Sequence, residues 1–151
     1  MEGENFGAFV NAAAAEALTG AELVPVVASS VTKQATAQQI AALASNPRVN
    51  SITSSSTPTP NCGTTDQYQV TALAVSATFG APTGTPADGQ HLTILIVDDG
   101  TSQLLFWNSA YHQGSLLSLP TFTVPTKLMY LGFIYSSINS LWNFVAIAPG
   151  F

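Results

Sequence analysis

Charged side chains are nearly absent from this chain. Its 151 residues include three basic ones, Lys33, Arg48 and Lys127, against eight acidic ones, 7% in all, for a net charge of −5. Ordinary soluble domains carry roughly 25% Asp, Glu, Lys and Arg. With no cluster of Lys or Arg to displace counterions, binding to a nucleic-acid backbone is not expected, and binding to an anionic membrane surface is disfavoured for the same reason. A surface so short of charge consists of neutral polar and apolar groups. Either much of it is buried against other protein copies, which is how apolar surface without charge behaves, or Ser, Thr, Asn and Gln alone keep it in water.

Cysteine is as scarce. Cys62 is the only one, so no intrachain disulfide can form and the fold must hold by packing, as in a reducing cytosol. A single thiol invites a nucleophile reading, but Cys62 lies in a run of Ser, Thr, Pro and Gly from Thr57 to Thr65, where an incidental thiol explains it with nothing added. No apolar run reaches the roughly 18 residues of a membrane helix, so membrane insertion is not expected. Met1-Glu-Gly-Glu-Asn5 opens with acid where a signal peptide carries base, so no export segment is expected. The two histidines, His91 and His112, lie in no metal-binding spacing, and no metal or cofactor is assigned.

What is present divides into three parts. In residues 1–45, Phe6 to Leu18 with its alanine run predicts a short helix stopped at Gly20. Ala21–Val27 and Val31–Thr36 predict a hairpin in which Pro25 confines the first strand to an edge. Thr36 and Gln39 form a capping-box pattern opening a helix whose buried stripe is Ile40 and Leu43. This unit is too small to enclose its own apolar side chains. Leu23, Val24, Val26, Val27, Ile40 and Leu43 are therefore the candidate residues for attachment to a scaffold. Residues 46–65, with three prolines and Ser/Thr runs, read as a linker.

Residues 66–151 predict a small all-β domain. Its centre is His91–Val97, bracketed by the turn signals Asp88-Gly89 and Asp98-Asp99-Gly100, with apolar residues on both faces. Tyr68–Val75 alternates before it. Gln103–Asn108 follows and reads as its hairpin partner, then Phe122–Val124, and two final strands, Lys127–Tyr135 and Leu141–Ile147, close the chain. Short strands at this spacing predict a β-sandwich, jelly-roll-like.

The chemistry on offer is slight. Asp88, Asp98 and Asp99 form a possible calcium or carboxylate pair, yet each stands at a glycine turn that its side chain can cap. Trp107 and Trp142 sit among apolar strand residues and read as core. Tyr111, in the looser Ser109–Leu119 region, is the candidate for stacking on a sugar. No Ser-His-Asp order, phosphate loop or dinucleotide fingerprint is present, and no residue is assigned to catalysis.

The ordered motifs Asp66-Gln-Tyr-Gln-Val-Thr-Ala-Leu-Ala74, Pro82-Thr-Gly-Thr-Pro-Ala-Asp-Gly-Gln-His-Leu-Thr-Ile94, Leu105-Phe-Trp-Asn-Ser-Ala-Tyr111 and Lys127-Leu-Met-Tyr-Leu-Gly-Phe-Ile-Tyr135 resemble a β-domain of structural proteins of tailed bacteriophages. The related segments are labelled tail fibre, tail appendage or head decoration. Leu18–Val27 with Val31–Thr36 and Ile40–Leu43 is similar to the attachment module at the front of phage fibre proteins. The resemblance implies a non-enzymatic virion component, assembled in the host cytoplasm. It would be anchored to capsid or tail by residues 1–45 and associated with itself, with a homotrimer expected. Where the family carries basic residues and an Asn-Gly turn, this chain has Leu95 and Asp99-Gly100, and Trp142-Asn143 stands for Trp-Asp. Leu95 and Asn143 each remove a charge, which favours buried interfaces, whereas Asp99 adds one. The alternative is a receptor-binding module that takes host-surface glycan through Tyr111. A glycan-cleaving enzyme would need carboxylates in a cleft and has only Asp66, Asp88, Asp98 and Asp99 to draw on.

Overall fold

The computed structural model describes Ala21, residues 23–28 and residues 31–151, the side chains of 26–28, 31–33 and 42–45 excepted. The short helix expected before Gly20 lies outside the described residues. The chain divides into two units, Met1–Asn46 and Pro47–Phe151.

In the first unit, β1 (Leu23–Ala28) and β2 (Val31–Thr36) pair antiparallel, Leu23 opposite Thr36 and Ala28 opposite Val31. Thr36 then caps α1 (Ala37–Ser45). Its hydroxyl accepts from Gln39 N at 3.1 Å, and the Gln39 side chain accepts from Thr36 N at 2.9 Å. Two amides that the first helical turn cannot satisfy are thus satisfied reciprocally, as the Thr36/Gln39 spacing predicts.

The second unit is mainly β and two-layered. Its larger sheet has six strands in the order β3 (Val49–Ile52), β4 (Gln67–Leu73), β6 (His91–Asp98), β9 (Met129–Ser136), β10 (Leu141–Pro149), β8 (Tyr111–His112). The smaller sheet pairs β5 (Ala77–Phe79) with β7 (Leu105–Trp107). β9 and β10 form the expected antiparallel hairpin, and β6 is the central strand between β4 and β9. Leu92, Ile94 and Ile96 are buried in the core on one side of β6, whereas on the other Leu95 is buried but Thr93 and Val97 are half-buried, so the second face is only partly covered rather than enclosed.

Elsewhere the pairing departs from an all-antiparallel jelly roll. β3, β4 and β6 run parallel, as do β5 and β7. Parallel neighbours cannot be joined by a tight turn, and here each connection crosses through the second layer. Residues 56–62 run beside β5 and the residues after it: Thr78 N donates to Ser56 O at 2.8 Å, Gly80 N to Pro58 O at 3.0 Å and Cys62 N to Thr83 O at 2.9 Å. The chain from β3 to β7 therefore makes three stacked coils, each with one side in either layer.

This arrangement corrects two expectations. The 46–65 run is not a linker from Pro47 onward: it supplies β3 and the first coil's second side, with Pro58, Pro60 and Cys62 buried. Its prolines lack amide donors but need only carbonyls at an edge, where Pro58 O and Pro60 O accept from Gly80 and Thr83. Nor do β6 and β7 form a hairpin; they lie in different sheets. The Asp98 carboxylate holds the turn that separates them, accepting from Gly100 N at 3.0 Å, Thr126 N at 2.9 Å and the Thr123 hydroxyl at 2.6 Å.

One core fills the space between the layers. Phe79 stacks on Trp107 with centroids 4.5 Å apart, Trp107 and Phe133 each meet Tyr111 edge-on at 5.3 and 5.1 Å, and Phe133 reaches Phe144 at 5.2 Å. Trp142 is buried and Trp107 packs against the core, its indole N–H donating to Pro120 O at 2.8 Å. A register shift between Val70 and Leu73 carries Leu73 into the core, whereas Val75 is exposed. Strict alternation along Tyr68–Val75 places Tyr68 and Val70 on the face opposite Leu73; the bulge instead puts all three inside.

Candidate functional site

The candidate attachment residues occupy the first unit. Leu23 is 60% exposed, and Val24 and Ile40 are 38% exposed each. Leu23 and Val24 are consecutive in β1, so their side chains leave opposite faces of the hairpin. Both faces thus present apolar surface, and the candidates do not form a single stripe. The side chains of Val26, Val27 and Leu43 lie outside the described residues.

Tyr111 is not a surface residue. It is 4% exposed, wedged between Trp107 and Phe133, because β8 pairs with β10 and turns the ring into the core. Burial, with Tyr68 nearby, pushes its phenol far above the usual value. A sugar cannot reach it, and no other Phe, Trp or Tyr lies in the Ser109–Leu119 region. Nothing local to Tyr111 signals this, since a two-residue strand has no periodicity to read. The Tyr111 hydroxyl and Thr65 Oγ1 are the buried side-chain polar atoms without a hydrogen-bond partner among the described residues.

The four described carboxylates are all engaged within the fold. Asp66, at the head of β4, holds Arg48 at the head of β3: the guanidinium donates to its two oxygens at 2.6 and 3.0 Å and to Gly63 O at 2.6 Å. That pairing keeps the Asp66 carboxyl below its ordinary range. Asp88 accepts from Ser137 N at 2.7 Å, across to the β9–β10 turn, and is lowered by that bond. Burial alone would raise Asp98, but its bonds from Thr123, Thr126 and Gly100 outweigh it and the carboxyl is lowered. Asp99 accepts from Thr101 N at 3.1 Å. Asp98 and Asp99 thus cap their own turn, while Asp88 ties its loop to another.

Cys62 is buried, its thiol donating to Thr83 O at 3.0 Å, and burial raises its pKa. A thiol so placed is a poor nucleophile. His91 and His112 are exposed. Among the described residues no three His, Cys, Asp or Glu side chains gather to hold a metal, and no helix is long and apolar enough to cross a membrane.

The surface that sequence reasoning missed lies on the second layer, where Leu104, Phe106, Phe122 and Val124 are all exposed. The signal was present in Leu104-Leu-Phe-Trp107 and Phe122-Thr-Val124, but both runs read as core without the sheet assignment. Comparison with family models, with curated proteins and with solved structures found no match to this chain.

Proposed function

We propose that this chain is a non-enzymatic structural component of a bacteriophage particle. In this reading it is a fibre or decoration protein that attaches to capsid or tail protein through residues 1–45 and associates with further copies of itself through its β-domain. The observation that carries the attachment role is the exposure of Leu23, Val24 and Ile40 on a hairpin and one short helix. A two-stranded sheet is marginal alone, and a nine-residue helix is shorter than an isolated helix needs to persist in water. Such a unit gains stability when a partner covers its apolar groups. Self-association is supported by the shortage of charge, which leaves little to keep copies apart. The phage context rests on the sequence resemblance alone.

Deleting residues 1–45 tests the attachment role, since the division at Asn46/Pro47 leaves the larger unit whole. The shortened chain is expected to keep the β-rich circular dichroism of the parent and to be missing from purified particles. Particles that carry it at parental copy number would overturn the role. The glycan-binding alternative has lost Tyr111, and nothing else described supports it.

A further inference from the structure

The outer face of the second layer is uneven in a way the core does not require. Leu104 lies opposite Phe122 in an antiparallel bridge, Phe106 lies opposite Thr78 in the β5–β7 ladder, and Thr123 N donates to Gln103 O at 3.0 Å. Leu105 and Thr123 point inward, at 2% and 4% exposure, so their neighbours Leu104, Phe106, Phe122 and Val124 point out together. Phe106 is 52% exposed and Phe122 57%. On the neighbouring strands of that layer Thr57, Thr59 and Thr78 are exposed as well. No charged residue is among these seven.

We propose that this Phe106–Phe122 face is where two copies of the chain meet. The inference rests on the self-association reading above and assigns it a surface. Two phenyl groups about half exposed present roughly 200 Å² of apolar area, and with Leu104 and Val124 the patch reaches the several hundred Å² that marks an interaction site. A face without charge offers nothing to a charged partner, whereas it complements itself. The Pro47–Phe151 unit carries four acidic residues, Asp66, Asp88, Asp98 and Asp99, against Arg48 and Lys127, so two copies repel weakly everywhere except across a neutral face. A standard interface takes about 800 Å² from each partner. The apolar patch with its threonine margin falls below that, which corresponds to association that depends on concentration.

Sedimentation velocity on the full chain, from micromolar to several hundred micromolar, tests this. The wild type is expected to shift to larger species as concentration rises. Phe106→Asp/Phe122→Asp, which sets like charges against each other, is expected to weaken association at least a hundredfold with its near-ultraviolet circular dichroism retained. If the wild type associates and the folded double variant does so equally, the face is wrong and self-association stands. If the wild type stays a single copy throughout, both fall. Should the double variant not fold, a cysteine at Thr78 decides, because Cys62 is buried and does not compete. Thr78→Cys is expected to form disulfide-linked dimers on mild oxidation faster than Thr71→Cys, exposed on β4 of the larger sheet; equal rates would overturn the assignment.

Discussion

Asp98 is the side chain on which the connection between the two layers depends, and replacing it gives the sharpest test of the fold described here. The carboxylate is 4% exposed and accepts three hydrogen bonds, from Gly100 N, Thr126 N and the Thr123 hydroxyl. Thr126 sits at a φ of 62°, a left-handed conformation that this bond helps to hold. Asp98→Ala leaves three donors without their acceptor, at about 1–3 kcal/mol for each one that stays buried and unsatisfied. Partial access of water to Thr126 and Gly100, both exposed, reduces the total to about 3–4 kcal/mol. With a urea slope of about 2 kcal/mol per molar, mid-range for a small domain, the midpoint is expected to fall by roughly 1.5–2 M. Asp98→Asn keeps one acceptor oxygen and loses the charge, and is expected to lose about 1–2 kcal/mol.

The pH dependence follows from the direction of the shift. Asp98 is lowered in the folded state, so its stabilisation is present above the unfolded carboxyl value of about 3.9 and is lost as pH falls through the lower folded value. Asp66 and Asp88 are lowered too and contribute in the same direction. The informative quantity is therefore the difference between wild type and Asp98→Asn, measured by urea unfolding with Trp107 and Trp142 as fluorescent reporters. That difference is expected to be full near pH 7 and to shrink at the acid end of the range in which the chain stays folded. An Asp98→Ala midpoint within about 0.3 M of wild type, or a wild-type-minus-Asn difference that does not change with pH, would refute the role given to this carboxylate.

Two further outcomes are expected. Gly84→Ala is expected to destabilise by about 1–3 kcal/mol, because φ is +90° and an added Cβ would lie 2.9 Å from Gly63 N. Gly89→Ala, at φ +75° with nothing within 4 Å, is expected to lose only about 1 kcal/mol from backbone strain alone; equal losses in thermal melts would contradict the close approach of the first two coils. Cys62 is expected to react with a thiol-specific chromogenic disulfide only as fast as the domain opens, and at the free-thiol rate in denaturant. Immediate reaction under native conditions would return residues 57–65 to the status of a linker.

Much of this protein was legible in its residues. The Thr36/Gln39 capping box, the β9–β10 hairpin, the buried β6 and the turns at Asp98 and Asp99 all depend on hydrogen bonds or periodicities that span a few positions. The spacing of short strands and turn signals likewise carried the mainly β class, and composition the shortage of charge. Tertiary structure decided what depends on neighbours far along the chain. Ser, Thr and Pro between Asn46 and Thr65 carry no apolar period, yet the first coil forms there because its backbone pairs with residues 78–83, and backbone pairing in a coil asks little of side chains. Tyr111 and Phe106 lie in one short run, and nothing local separates them. One is enclosed and the other left in solvent because β8 joins the larger sheet, whereas Phe106 stands on the outer side of the smaller one.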